Sequence, residues 1–198
     1  MIPRDAKLTP WPEKLLKNWD QLTDVEKKLF IRQANVYAAY LAYTDHEIGR
    51  VVQAVQDMGK LDNTLIIYIS GANGASAEGT QNGTPSEMLS FNGIELSAEA
   101  QMKFYDAWGS EYTYNHFAVP WTWAFDTPYK WTEQIPSFFG GTRNGMAISW
   151  PARLKDNHRT FLRSHRPERV GKSPKELMTG QSHPHWLELL GFTRFQLP

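Results

Sequence analysis

The sequence holds 198 residues with a mass of 22.7 kDa; 41% are hydrophobic and 21% charged, a balance that suits one folded domain and excludes a disordered chain or a coiled coil. Lysine and arginine total 21 and aspartate and glutamate 21, so no charge excess marks a surface dedicated to nucleic acid or anionic lipid. There is no cysteine, which removes disulfides, thiolate zinc ligands and a cysteine nucleophile together.

The start, Met1-Ile2-Pro3-Arg4-Asp5, lacks the apolar stretch of a secretory signal, and no apolar run is long enough to span a membrane. Pro10 and Pro12 prevent a helix around Trp11, so residues 8–12 read as an extended arm. Thr23-Asp24-Val25-Glu26 has the form of a capping box and predicts a long helix to about Met58, with Gly59 as its stop. Leu29, Phe30, Tyr37, Leu41, Ile48, Val51, Val52 and Val55 recur along it at three- and four-residue steps. The apolar run Thr64–Ser70 predicts a strand buried on both faces, as in a parallel sheet flanked by helices, and helix followed by strand argues for an α/β fold.

The strand ends at a glycine-rich turn, Gly71-Ala72-Asn73-Gly74, and ligands of open α/β sheets bind just past the carboxyl ends of strands. A short helix is predicted around Ala98–Trp108. An aromatic-rich stretch follows in a chain that is 13% aromatic overall, and Pro120 and Pro128 are expected to break it into irregular structure. Gly140-Gly141 marks a turn, and Met146–Trp150 predicts a second strand ended by Pro151. From Ala152 the composition becomes basic and proline-punctuated, with nine Lys and Arg against four Asp and Glu.

Several residues have chemistry to offer. The amide oxygen of Asn73 suits a hard cation such as Ca²⁺, and equally Asn73 suits a turn that tolerates left-handed geometry. Asp45 and His46 are adjacent on a helix and do not share a face. His116 lies in the aromatic stretch, and His183 and His185 form a pair without a third metal ligand. The aromatic group from Trp108 to Trp131 suits a wall for an aryl or sugar ring, or a loop packed by its own side chains.

The segments Tyr43–Arg50, Leu61–Ile66, Gly71–Gly79, Tyr114-Asn115-His116, Trp131-Thr132-Glu133-Gln134 and Phe139–Pro151 together resemble the later part of an arylsulfatase, in the alkaline-phosphatase-like superfamily. The resemblance implies an incomplete piece of that superfamily's mixed sheet flanked by helices, with residues 1–151 as a catalytic-domain fragment and 152–198 as a divergent basic tail. The activity it implies is hydrolysis of an aryl sulfate or sulfated small molecule with Ca²⁺. In that family an early segment supplies two adjacent Asp ligands and a Cys or Ser, within C/S-x-P-x-R, that becomes a formylglycine nucleophile. A later segment supplies Asp-Asn ligands and a Lys that contacts the sulfate.

These 198 residues contain neither the nucleophile motif nor an Asp-Asp pair. Within the later segment, Asn73 keeps the metal-ligand position, while Ala72 stands where the family has Asp and Glu133 where it has Lys. Lys130 is a possible substitute for that lysine, and His116 is assigned by the resemblance to substrate binding. The expectation is a truncated arylsulfatase-like protein, inactive alone. Two alternatives stay open: a non-catalytic binding remnant that uses the aromatic segment 108–131, or a subunit that completes a separately encoded N-terminal sulfatase half. The tail 159–198, rich in Arg, His, Ser and Pro, suits a frameshifted reading of its gene.

Overall fold

The computed structural model describes residues 7–154; the basic tail, with His183, His185 and the apolar stretch 186–190, lies outside them. The described residues form two compact units: Lys7–Ala39 with Asn73–Thr142, and Tyr40–Ala72 with 143–154.

The first unit is built around the start of α1 (Asp24–Asp57). Its capping box forms as the sequence predicts. The Glu26 amide donates to Thr23 Oγ1 at 3.2 Å and the Thr23 amide to Glu26 Oε2 at 2.7 Å, so the box satisfies two backbone donors, one of them at the helix start. Leu29 and Phe30 are buried against Leu22, Ala98, Trp108 and Ala118. Between them and the loops stands Gln33, which is 1% exposed. Its amide donates to the Asn82 carbonyl at 2.8 Å and accepts from the Ala118 amide at 2.9 Å, so one side chain ties two loops to the helix.

Helix α2 (Glu87–Phe91) is a short element that the sequence did not announce. Helix α3 (Ala98–Gln101) starts at Ser97, whose hydroxyl accepts from the Ala100 amide, and runs into a tighter turn over Met102–Ala107 that delivers Trp108 into the core.

The aromatic stretch is less irregular than expected. Pro120 lies in the first turn of α4 (Val119–Phe125), where a missing N–H costs no intrahelical bond, so it opens a helix instead of breaking one. The helix lays Phe125 between Tyr37 and Trp121, with ring centroids 5.3 and 5.4 Å away. A single further turn, α5 (Phe139–Thr142), closes the unit.

In the second unit α1 ends as predicted. Gly59 adopts φ +66°, the Gly59 amide donates to the Gln56 carbonyl and the Lys60 amide to the Val55 carbonyl, which is the Schellman pattern. Strand β1 (Ile66–Ile69) then pairs with β2 (Met146–Ser149), Ile66 opposite Ser149 and Ile69 opposite Met146. The pairing is antiparallel, which corrects the parallel arrangement read from the apolar run. The chain leaves β1 at Ser70 and returns at Gly145, where the two are joined by a 3.1 Å backbone bond, so the strands meet as the two arms of a hairpin. A run that is apolar at every position specifies burial but not the direction of its neighbour. Nor is β1 buried on both faces: Ile67 and Ile69 are 52% and 59% exposed.

Candidate functional site

The turn after β1 is exposed at Ala72 and Asn73. From Asn73 onward it is stitched into the first unit by backbone. The Gly74 amide donates to the Gly141 carbonyl at 3.1 Å, and the Glu133 amide donates to the Ala75 carbonyl at 3.0 Å. Gly74 is required at this crossing, since a Cβ there would overlap the Gly140 carbonyl.

This stitching sets Asn73 beside Glu133, 60 residues further along the chain, and the Asn73 amide donates to Glu133 Oε2 as well as to the Gly74 carbonyl at 3.1 Å. The positions that the sequence reading assigned to a cation ligand and to a sulfate-contacting group are therefore in direct contact. Lys130 is exposed, and its carbonyl accepts from the Gly140 amide at 3.0 Å.

Close to Gly140 lies Asp126, whose Oδ2 has no hydrogen-bond partner. Burial pushes its carboxyl up to about 7. Sequence reasoning missed it, because nothing local distinguishes an aspartate before Thr-Pro from a solvated turn residue.

His116 has partners of its own. Its Nε2 lies 3.0 Å from Glu87 Oε2 and its Nδ1 3.7 Å from Glu78 Oε2. Neither glutamate stood out in the sequence; they reach the histidine through loop crossings, not through spacing. Asp45 and His46 form no dyad: His46 is exposed, while Tyr68 has its phenol pushed up first by burial and then by the Asp45 charge.

The aromatic group is mostly spent on packing. Trp108 and Trp123 are buried, and Trp121 stacks on Phe125, leaving Tyr112 and Tyr114 exposed.

A calcium ion at this turn would need these residues to present several hard oxygens, because Ca²⁺ takes six to eight. Asn73 offers one amide oxygen and Glu133 one carboxylate, and Ala72 offers none. The NH₂ of Asn73 is turned to Glu133, so the pair is already satisfied internally. The described residues at this turn do not fit a calcium ion.

The model of the sulfatase family matches residues 6–165. An uncharacterized sulfatase of Schizosaccharomyces pombe is 28% identical over 159 residues, covering 78% of this chain and 26% of that protein. An arylsulfatase of Klebsiella aerogenes is 26% identical over 145 residues, covering 72% of this chain and 29% of that protein. The chain thus spans just over a quarter of the length of these curated relatives. No solved structure matches.

Proposed function

Since the chain belongs to the sulfatase family, we propose that it is the later part of an arylsulfatase-type sulfuric ester hydrolase and that these residues alone do not turn over an aryl sulfate. The observation that carries this reading is the contact between Asn73 and Glu133. Two segments identified separately by family resemblance fold against each other, as parts of one site must. The side chains at the contact are wrong for sulfate.

Hydrolysis of a sulfate ester needs a nucleophile at sulfur and positive charge around the sulfuryl oxygens as the ester bond breaks. These residues supply neither. There is no cysteine and no C/S-x-P-x-R to become formylglycine. Glu133 puts an anion where the family has a cation, which repels the substrate, and Ala72 withholds a carboxylate from the metal. Asn73 and Glu133 hold each other in place of a ligand. A partner segment carrying the nucleophile is part of the proposal, and the apolar side chains that β1 exposes, Ile67 and Ile69, are consistent with a sheet face that such a segment would cover.

The test is an assay of the purified chain on a chromogenic aryl sulfate, alone and mixed with a separately expressed N-terminal arylsulfatase segment bearing formylglycine. Neither sample is expected to exceed a heat-treated control. Adding Ala72→Asp and Glu133→Lys together is expected to give measurable turnover in the mixture, and each alone little, because both act on one cation–sulfate assembly. Calcium titration of the chain by calorimetry is expected to show no one-to-one micromolar site. Steady turnover by the unmodified chain overturns the proposal.

A further inference from the structure

His116 is enclosed by a framework with features of a built ligand set. The strand-like segment 114–116 is bridged to residues 84–86: the Thr84 amide donates to the His116 carbonyl at 2.9 Å, the His116 amide donates to the Thr84 carbonyl at 3.0 Å, and the Glu87 amide donates to the Tyr114 carbonyl at 2.9 Å. Glu87 and His116 are thereby set side by side by backbone bonds on both. Glu78 is brought in from a third segment. Gly79 lies directly on the Phe117 carbonyl, where a Cβ would overlap it, so only glycine lets the Glu78 loop approach this closely. Ser76 Oγ accepts from the Glu78 amide at 3.2 Å and fixes the approach.

The result is one ring nitrogen of His116 and one carboxylate oxygen from each of Glu78 and Glu87, all within 4.8 Å of one another. The side chains of Glu78, Glu87 and His116 are 29%, 18% and 22% exposed. Among the described residues no lysine or arginine pairs with either glutamate, so two carboxylates largely withdrawn from water face a single imidazole. Two carboxylates and one imidazole make a donor set whose charge a divalent cation balances.

We propose that Glu78, Glu87 and His116 bind a zinc ion, separately from the Asn73 turn and independently of the sulfatase reading. The donor chemistry selects the ion. An imidazole nitrogen with two carboxylate oxygens suits zinc, which takes three protein ligands and leaves a fourth position to water, whereas calcium and magnesium prefer oxygen alone. Backbone bonds already hold the segments of Glu87 and His116 together, so the ion would tie the Glu78 loop to that bridged pair.

The experiment uses the full chain, freed of metal with a chelator and titrated with Zn²⁺ against a chromogenic competitor. One zinc per chain at micromolar affinity or tighter is expected. Glu78→Gln and Glu87→Gln are each expected to weaken it by at least about tenfold. A variant with His158, His165, His183 and His185 all changed to Gln is expected to retain the site, which separates it from the histidine-bearing tail. Zinc is further expected to raise the thermal midpoint of the wild type and not that of Glu87→Gln. Should the glutamate variants fold poorly, Co²⁺ added to the unmodified chain gives visible bands of a four-coordinate N/O site. The proposal fails if the wild type binds no zinc, if affinity survives both glutamate changes in folded protein, or if binding disappears with the tail histidines.

Discussion

The two compact units solve the same problem with unequal means. The unit of Lys7–Ala39 and Asn73–Thr142 closes a core although Phe91 and Tyr112 stay outside it: Leu29 and Trp108 are at most 1% exposed, and Gln33 and Gln101 satisfy the loop carbonyls around them. In the unit of Tyr40–Ala72 and 143–154, Leu61 alone among the described apolar residues is buried. Tyr40, Tyr43, Val51, Ile67 and Ile69 are all more than half exposed. The contrast teaches that patterning for burial and burial itself are separate facts. Among the described residues of the second unit, a two-stranded sheet and one stretch of helix do not cover every apolar face they carry.

The largest blow to this contrast is Trp108→Ala. It removes the largest fully buried side chain of the first unit and is expected to cost about 3–5 kcal/mol. Because two units need not unfold together, native-state hydrogen exchange is the measurement, and loss of protection should concentrate in residues 24–39 and 98–125. Next comes Gln33→Leu, which keeps the bulk but orphans the buried Ala118 amide and leaves the Asn82 carbonyl only its longer bond from Gln101 at 3.3 Å. An expected loss of about 1–3 kcal/mol, read in the same way, would show that the loops depend on that one side chain.

Asp126 sharpens the comparison through pH. Its folded carboxyl, held up to about 7 by burial, lies above the roughly 3.9 of an unfolded aspartate. The folded chain therefore keeps a proton that the unfolded chain releases, and stability falls as pH rises from about 4 to about 7, then levels off. Asp126→Asn should flatten that slope and raise the thermal midpoint by a few degrees at pH 8, with no gain near pH 4; thermal melts across that range check it. The smallest effect belongs to Ile67→Thr in β1. On an exposed strand face it should change stability by no more than about 0.5 kcal/mol. A loss as large as that at Trp108 would mean that β1 is covered in solution.

What the sequence made legible was local. Both ends of α1 were readable because a capping box and a Gly59 stop are written within four or five residues of the boundary. The position of β1 was readable from a β-branched run and that of β2 from a short run ended by Pro151, but not their antiparallel pairing, which depends on how the chain between them returns. The five-residue α2 was too short to show a period. At the candidate site, Asn73 and Glu133 were singled out through resemblance, whereas Glu78, Glu87 and Asp126 acquire their chemistry only from neighbours far along the chain. Pro120 was misread because a proline at a helix start and a proline that breaks a helix look alike until the helix is seen.

The hairpin of β1 and β2 carries a further consequence, for the order of folding. Its arms are separated by residues 70–145, and closing so long a loop costs entropy that a four-residue ladder returns poorly. The Gly74–Gly141 bond gathers the two ends of that insertion from within. Once the inserted chain has folded, the strands inherit a turn of only a few residues at each side, and the long loop becomes effectively short. The sheet is therefore a late event that waits on the insertion, and a change that weakens residues 73–142 should slow sheet formation even though it touches neither strand.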